Sequence, residues 1–162
     1  MKLNDKQIAE YLLRCFTAVD GLWVMKLEEK SGFDTALEID NEVWKVMPKI
    51  QARMLKSMGN LGNGIEALFD CITTKLTLEG FTFKTEKIDN HRGFRIIIEK
   101  CPWFELLVKS GRENLAEKLG NTICSTDCSV WASEFGDNIK FELQSQICKD
   151  SNHCLLQFSH EN

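Results

Sequence analysis

The sequence lacks an apolar run of 18 residues, so nothing in it reads as a transmembrane helix. It also lacks any cluster of more than two neighbouring Lys or Arg residues. Its net charge is −4, so the basic footprint of a nucleic-acid binder is missing. Met1 to Glu10 mixes charges of both signs and has no apolar segment, which does not fit a signal peptide. These absences point to a cytoplasmic protein with neither nucleic acid nor membrane as partner. The cysteine count is seven, an odd number, and without a secretory signal a disulfide framework is not expected. The one glycine-rich stretch, Gly59 to Gly64, has no Lys followed by Ser or Thr and no preceding strand. It reads as a loop and not as a phosphate cradle.

What remains is an ordinary globular composition of 162 residues, 43% hydrophobic and 27% charged. That predicts a single domain spanning 1–162, helical over 1–78 and built as hairpin, helices and hairpin over 79–162. Asn4 with Gln7 forms a capping box. Ile8, Leu12, Cys15, Phe16, Val19, Trp23 and Leu27 then recur at three- and four-residue steps, so a helix of about 27 residues is expected, stopping at Gly32. A second helix is expected from Asp34, ended or kinked at Pro48, and a third stretch to Met58. Ile65 to Leu78 follows as a helix whose inner face carries Leu68, Phe69 and Ile72.

Period-two alternation from Phe81 and the isoleucine run after Phe94 predict a hairpin around Asp89–Gly93. Helices are expected from Trp103 to Leu119 and from Ser125 to Phe135, the latter capped by Ser125 or Thr126. A strand from Ile139 to Cys148 and a return strand from Cys154 to Ser159 close the chain. The fold class is therefore α+β, a helical N-terminal half packed on an antiparallel sheet of two hairpins.

Chemistry-bearing residues cluster late in the sequence. Cys101, Cys124, Cys128, Cys148 and Cys154 form two spaced pairs and a single, as thiolate clips for zinc do, although buried cysteines also simply fill cores. A nucleophilic thiol is a third reading. Cys124, at an expected helix start, and Cys101, before Pro102, are its candidates, and Asp127 is a base, a ligand or a first-turn acid favoured by the helix dipole. Of His91, His153 and His160, His153 beside Cys154 is best placed to assist. Asp20 with Trp23, and Asp40 with Trp44, share helical faces and form a second candidate pair set for binding a polar or cationic ligand.

Cys101-Pro102-Trp103, Gly111-Arg112, Cys124-Ser125-Thr126-Asp127, Asp150 and Cys154-Leu155-Leu156-Gln157-Phe158 together resemble a family of small bacterial and archaeal proteins of undetermined role. That outline is similar to the L-2-amino-thiazoline-4-carboxylate hydrolase-like family. More distantly it resembles the 4-vinyl reductase ligand-binding domain. The resemblance implies an α+β fold that holds a small organic molecule, with a Cys/Glu zinc site near the last hairpin to which Glu142, Cys148 and Cys154 would contribute. The implied alternative is a hydrolase of a small cyclic C–N bond that uses a cysteine or a metal-bound water. The expected metal set is then Cys124, Cys128, Glu142, Cys148 and Cys154, with zinc as the ion. A homodimer is the default assembly.

Overall fold

The computed structural model describes residues 1–88, 92–149 and 151–160. The backbone divides into two compact units, 1–42 and 43–162. Among the described residues, no helix is long and apolar enough to cross a membrane.

In the first unit, helix α1 spans Asp5–Ser31. Its start is the expected reciprocal cap: the Asn4 side chain accepts from the Gln7 amide at 2.9 Å and the Gln7 side chain accepts from the Asn4 amide at 3.0 Å. Gly32, at φ 83°, ends it by turning its amide onto the Glu28 carbonyl. No residue of α1 is buried, so its apolar steps do not form a core stripe. Helix α2 runs Phe33–Trp44, crossing into the second unit at its last turn.

The second unit begins with α3, Met47–Gly59. Pro48 lies in its first turn and starts this helix, because a first-turn amide has no intrahelical acceptor to lose. Helix α4, Ile65–Leu78, buries Leu68, Ile72 and Leu76. Strands β1 (Thr82–Ile88) and β2 (Gly93–Lys100) form the first hairpin, and β3 (Ile139–Ser145) and β4 (Cys154–His160) the second. They join in one antiparallel sheet of order β1-β2-β4-β3. The α+β architecture with two hairpins is as expected.

The two central strands carry the sheet's side of the core. Phe94, Ile96 and Ile98 of β2 and Leu156 and Phe158 of β4 are buried at alternate positions. The register sets Phe94 opposite Phe158 and Phe141 of β3 opposite Phe158, and these rings pack at 5.0 and 5.1 Å between centroids. Trp131 and Phe135, stacked at 6.0 Å, join the same cluster. The other sheet face is polar: Arg95 donates to Gln157 at 2.8 Å, and Gln157 donates to Glu142 at 3.3 Å.

Between the hairpins the structure departs from the expected pair of helices. Helix α5, Pro102–Lys109, stops at a tight C-terminal turn in which Gly111 takes φ 67° and Arg112 donates back to the Leu107 carbonyl. A 3₁₀ turn, Glu113–Leu115, then leads into α6, Ala116–Leu119. A π turn, Gly120–Cys124, connects α6 without interruption to α7, Ser125–Ser133. Gly120 therefore does not end a helix, and Ser125 and Thr126 do not cap one. The strand expected to reach Cys148 ends at Ser145. A register shift between Leu143 and Ser145 breaks its parity, and Gln146 to Lys149 form a turn.

Candidate functional site

Lys75 of α4 is the centre of a buried polar cluster in the second unit. Its phase is that of Leu68 and Ile72, the inner face of the helix, so its ammonium is carried into the core. Asp127, four residues before the fully buried Trp131 of α7, meets it there, its Oδ2 at 2.6 Å from the Lys75 Nζ. Glu79, just beyond the end of α4, stands 3.7 Å away through Oε2. Gln51 of α3 donates to the other Glu79 oxygen at 3.1 Å. Two aromatic faces flank the ammonium, Trp131 at 5.9 Å and Trp44 at 6.0 Å from ring centroid to Nζ. Trp44 meets Trp103 edge to face at 6.3 Å.

Burial alone pushes the Lys75 ammonium down. Asp127 and Glu79 outweigh it and hold Lys75 well above the usual lysine range, so it stays charged. Burial raises the Glu79 carboxyl, and Lys75 only partly reverses this. Among the described residues, four buried atoms of the cluster have no hydrogen-bond partner: Gln51 Oε1, Glu79 Oε2, the Asp127 Oδ1 acceptor and the Trp131 Nε1 donor, the last two on α7. Residues four apart on a helix share a face, so an orphan acceptor and an orphan donor project together from one side of α7.

A group of thiols adjoins this cluster. Cys101 follows β2, and the register pairs Ile98 with Cys154 at the start of β4. Cys154 accepts from the Ile147 amide at 3.3 Å. The Cys148 sulfur lies over Gly120: a Cβ there would stand 2.6 Å from it. Cys124 closes the π turn and interacts with Cys101, Asp127, Cys154 and Cys148. Burial is the main influence on these thiols. It raises Cys101 to about 11 and raises Cys124, Cys128, Cys148 and Cys154 above the ordinary cysteine value. Cys124 nevertheless exposes surface to water.

The expected sites are thus partly assembled and partly dispersed. Cys101, Cys124 and Asp127 do come together. Cys124, however, sits within a continuous helical backbone, whose amides are not free to stabilise a thiolate, and the expected lowering of its pKa is reversed. The zinc set Cys124, Cys128, Glu142, Cys148 and Cys154 is not assembled. Glu142 lies on the polar sheet face, bonded to Gln144 and Gln157. Cys148 is in a turn and not on the Glu142 strand face. Among the described residues, no three His, Cys, Asp or Glu side chains stand close enough to hold an ion.

Of the ligand residues, Asp20, Trp23 and Asp40 belong to the first unit and Trp44 to the second. Trp23 is exposed on α1, Asp20 is half-buried with its carboxyl raised by burial, and Asp40 is buried. His153 gives its backbone carbonyl to the Ser145 hydroxyl. His91 and Asp150 lie outside the described residues. Lys75, Glu79, Gln51 and Trp131 went unnoticed in the sequence. A lysine in the phase of an apolar stripe was the signal that marked Lys75.

One solved structure similar to this chain is described as the crystal structure of the phenol-responsive sensory domain of the transcription activator PoxR with phenol. It superposes with a TM-score of 0.53 at 13% identity, over 88% of this chain and 73% of that one, and it shows a shared fold. No curated protein matches the sequence. Residues 4–156 match the model of a family of unknown function, DUF6125, and the chain belongs to that family.

Proposed function

We propose that residues 43–162 form a binding domain for a small, mostly apolar molecule that carries one hydroxyl or similar group. The observation that carries this reading is the pair of orphan polar atoms on α7. Trp131 Nε1 has a proton to give and Asp127 Oδ1 has a lone pair to offer, both in an aromatic and aliphatic setting beside a fixed positive charge. Each unpartnered buried group costs about 1–3 kcal/mol. A ligand hydroxyl, which accepts once and donates once, satisfies both. The fold shared with a phenol-responsive domain supports the same reading.

The hydrolytic alternative draws less support. A cysteine nucleophile acts as thiolate, and burial raises Cys101 to about 11, so it is a neutral thiol at neutral pH. Among the described residues, no imidazole is among the groups that act on Cys101 or Cys124.

Phenol and toluene test the reading, because they share an apolar ring and differ in the hydroxyl. Tryptophan fluorescence and calorimetry should show saturable binding of phenol, at least tenfold tighter than toluene. Asp127→Asn should narrow that ratio. Equal affinity for the two, or no binding of either by a folded protein, would sink the proposal. A buried water would then be the partner of the two atoms.

A further inference from the structure

We infer that α1 is a self-association surface, and that two copies of the chain pair through it as parallel helices in register. Ile8, Leu12, Cys15, Val19 and Leu22 follow one another at steps of four, three, four and three residues. That is the seam spacing of a two-helix coil. Among the described residues of the first unit nothing covers the seam: Ile8, Leu12, Val19 and Leu22, with Tyr11 and Trp23 beside them, are 43 to 68% exposed. Monomeric proteins seldom expose so long an apolar patch.

Three features choose a second copy as the occupant. First, the flanking positions that would face a partner, 9, 16 and 23 on one side and 11, 18 and 25 on the other, hold Ala, Phe, Trp, Tyr and Met. No charge is present there to select a different chain or to repel an identical one. The charged residues Glu10 and Arg14 pair with each other at 2.7 Å within α1. Second, the six exposed apolar residues offer roughly 700 Å² per copy, an upper limit of roughly 1,400 Å² over two that reaches the range of about 1,200–2,000 Å² for stable interfaces. Third, parallel pairing in register stacks five like layers, Ile8 on Ile8 through Leu22 on Leu22. An antiparallel arrangement of the same seam brings Lys26 opposite Ile8, or Asp5 opposite Leu22, and loses an apolar layer.

Parallel pairing also places Cys15, an exposed free thiol at the middle of the seam, opposite its own copy. The test uses the whole chain at about 50 μM. Light scattering should give twice the 18.6 kDa mass of the chain. A short bismaleimide should link two chains, and Cys15→Ser should abolish at least nine-tenths of that product. Leu12→Gln with Val19→Gln keeps good helix formers and should lower the association constant at least 100-fold, with an unchanged circular dichroism spectrum. Met58→Gln, an exposed apolar position outside the seam, should leave the dimer intact. A monomer at this concentration would overturn the inference. So would a dimer that survives the double substitution, or cross-linking that survives Cys15→Ser.

Discussion

The Lys75 ammonium lies 2.6 Å from Asp127 Oδ2, and water reaches only 7% of the lysine side chain and 13% of the aspartate. Charges so far from water are stable only as a pair. Removing one leaves the other uncompensated, at a cost of about 3–5 kcal/mol. Lys75→Met and Asp127→Leu should each lower unfolding stability by about that amount in urea titrations. The double variant should recover part of the loss, since two apolar side chains replace the pair while Glu79 loses its counter-charge. Additive losses in the double variant would show that the two residues act separately.

Trp131→Phe separates packing from recognition. The substitution removes the orphan Nε1 donor and part of a fully buried side chain, so stability should fall by about 1–3 kcal/mol, the usual cost of a trimmed core residue. Phenol affinity should fall about tenfold, the worth of one hydrogen bond, while toluene affinity should hold or rise. Calorimetry on both ligands reads the difference.

Gly120→Ala probes the π turn. Its new Cβ would stand 2.6 Å from the Cys148 sulfur and 3.1 Å from Gln146 Nε2, the latter on a buried side chain. Overpacking of this kind costs about 1–3 kcal/mol. Adding Cys148→Ala should return at least half of that loss, because the sulfur is the nearer obstacle. Thermal unfolding of the four proteins in the cycle measures the coupling.

Alkali should unfold the protein. Cys101, Cys128 and Cys154 have values raised by burial, and so has Lys75, by its carboxylates against burial. A group raised in the folded state contributes stability that is whole below its unfolded value and is lost as pH rises toward the folded one. For the thiols the loss starts near pH 9 and runs past pH 11, and for Lys75 it starts near pH 10.5. Each thiol that ionises only in the unfolded chain should steepen the fall by about 1.4 kcal/mol per pH unit. Cys124 adds less, since its surface opens to water. Urea midpoints measured at pH 8, 9 and 10 should drop with increasing slope. A flat profile would mean that the thiols titrate as they do in the unfolded chain.

Much of this fold was legible in the sequence because its signals are local. The Asn4 and Gln7 cap, the Gly32 stop and the alternation of β2 depend on neighbours a few residues away. The widened turn at Gly120 depends on Cys148 and Gln146, more than 25 positions later, and no local pattern announces it. The strand expected to reach Cys148 stops short for a related reason: alternation carries only as far as the strand, and the register shift after Leu143 ends it. The candidate site was half visible. Asp127 and Trp44 stood out by residue type and position. Lys75 did not, because a lysine is normally solvated. Its buried position is tolerable because of Glu79, four residues on, and Asp127, distant in sequence.

The π turn also sets the rotational phase of a single rod. An ordinary helix advances about 100° per residue, so one surplus residue swings everything on one side of it by that angle relative to the other. Cys124, Asp127, Cys128 and Trp131 keep their common stripe because they lie at or beyond the wide turn. Gly120 and the buried Ala116 lie on the near side and are aimed independently. Excising one residue between Gly120 and Cys124 would realign the two halves. The thiols would then lose their bed while the polar cluster kept its own.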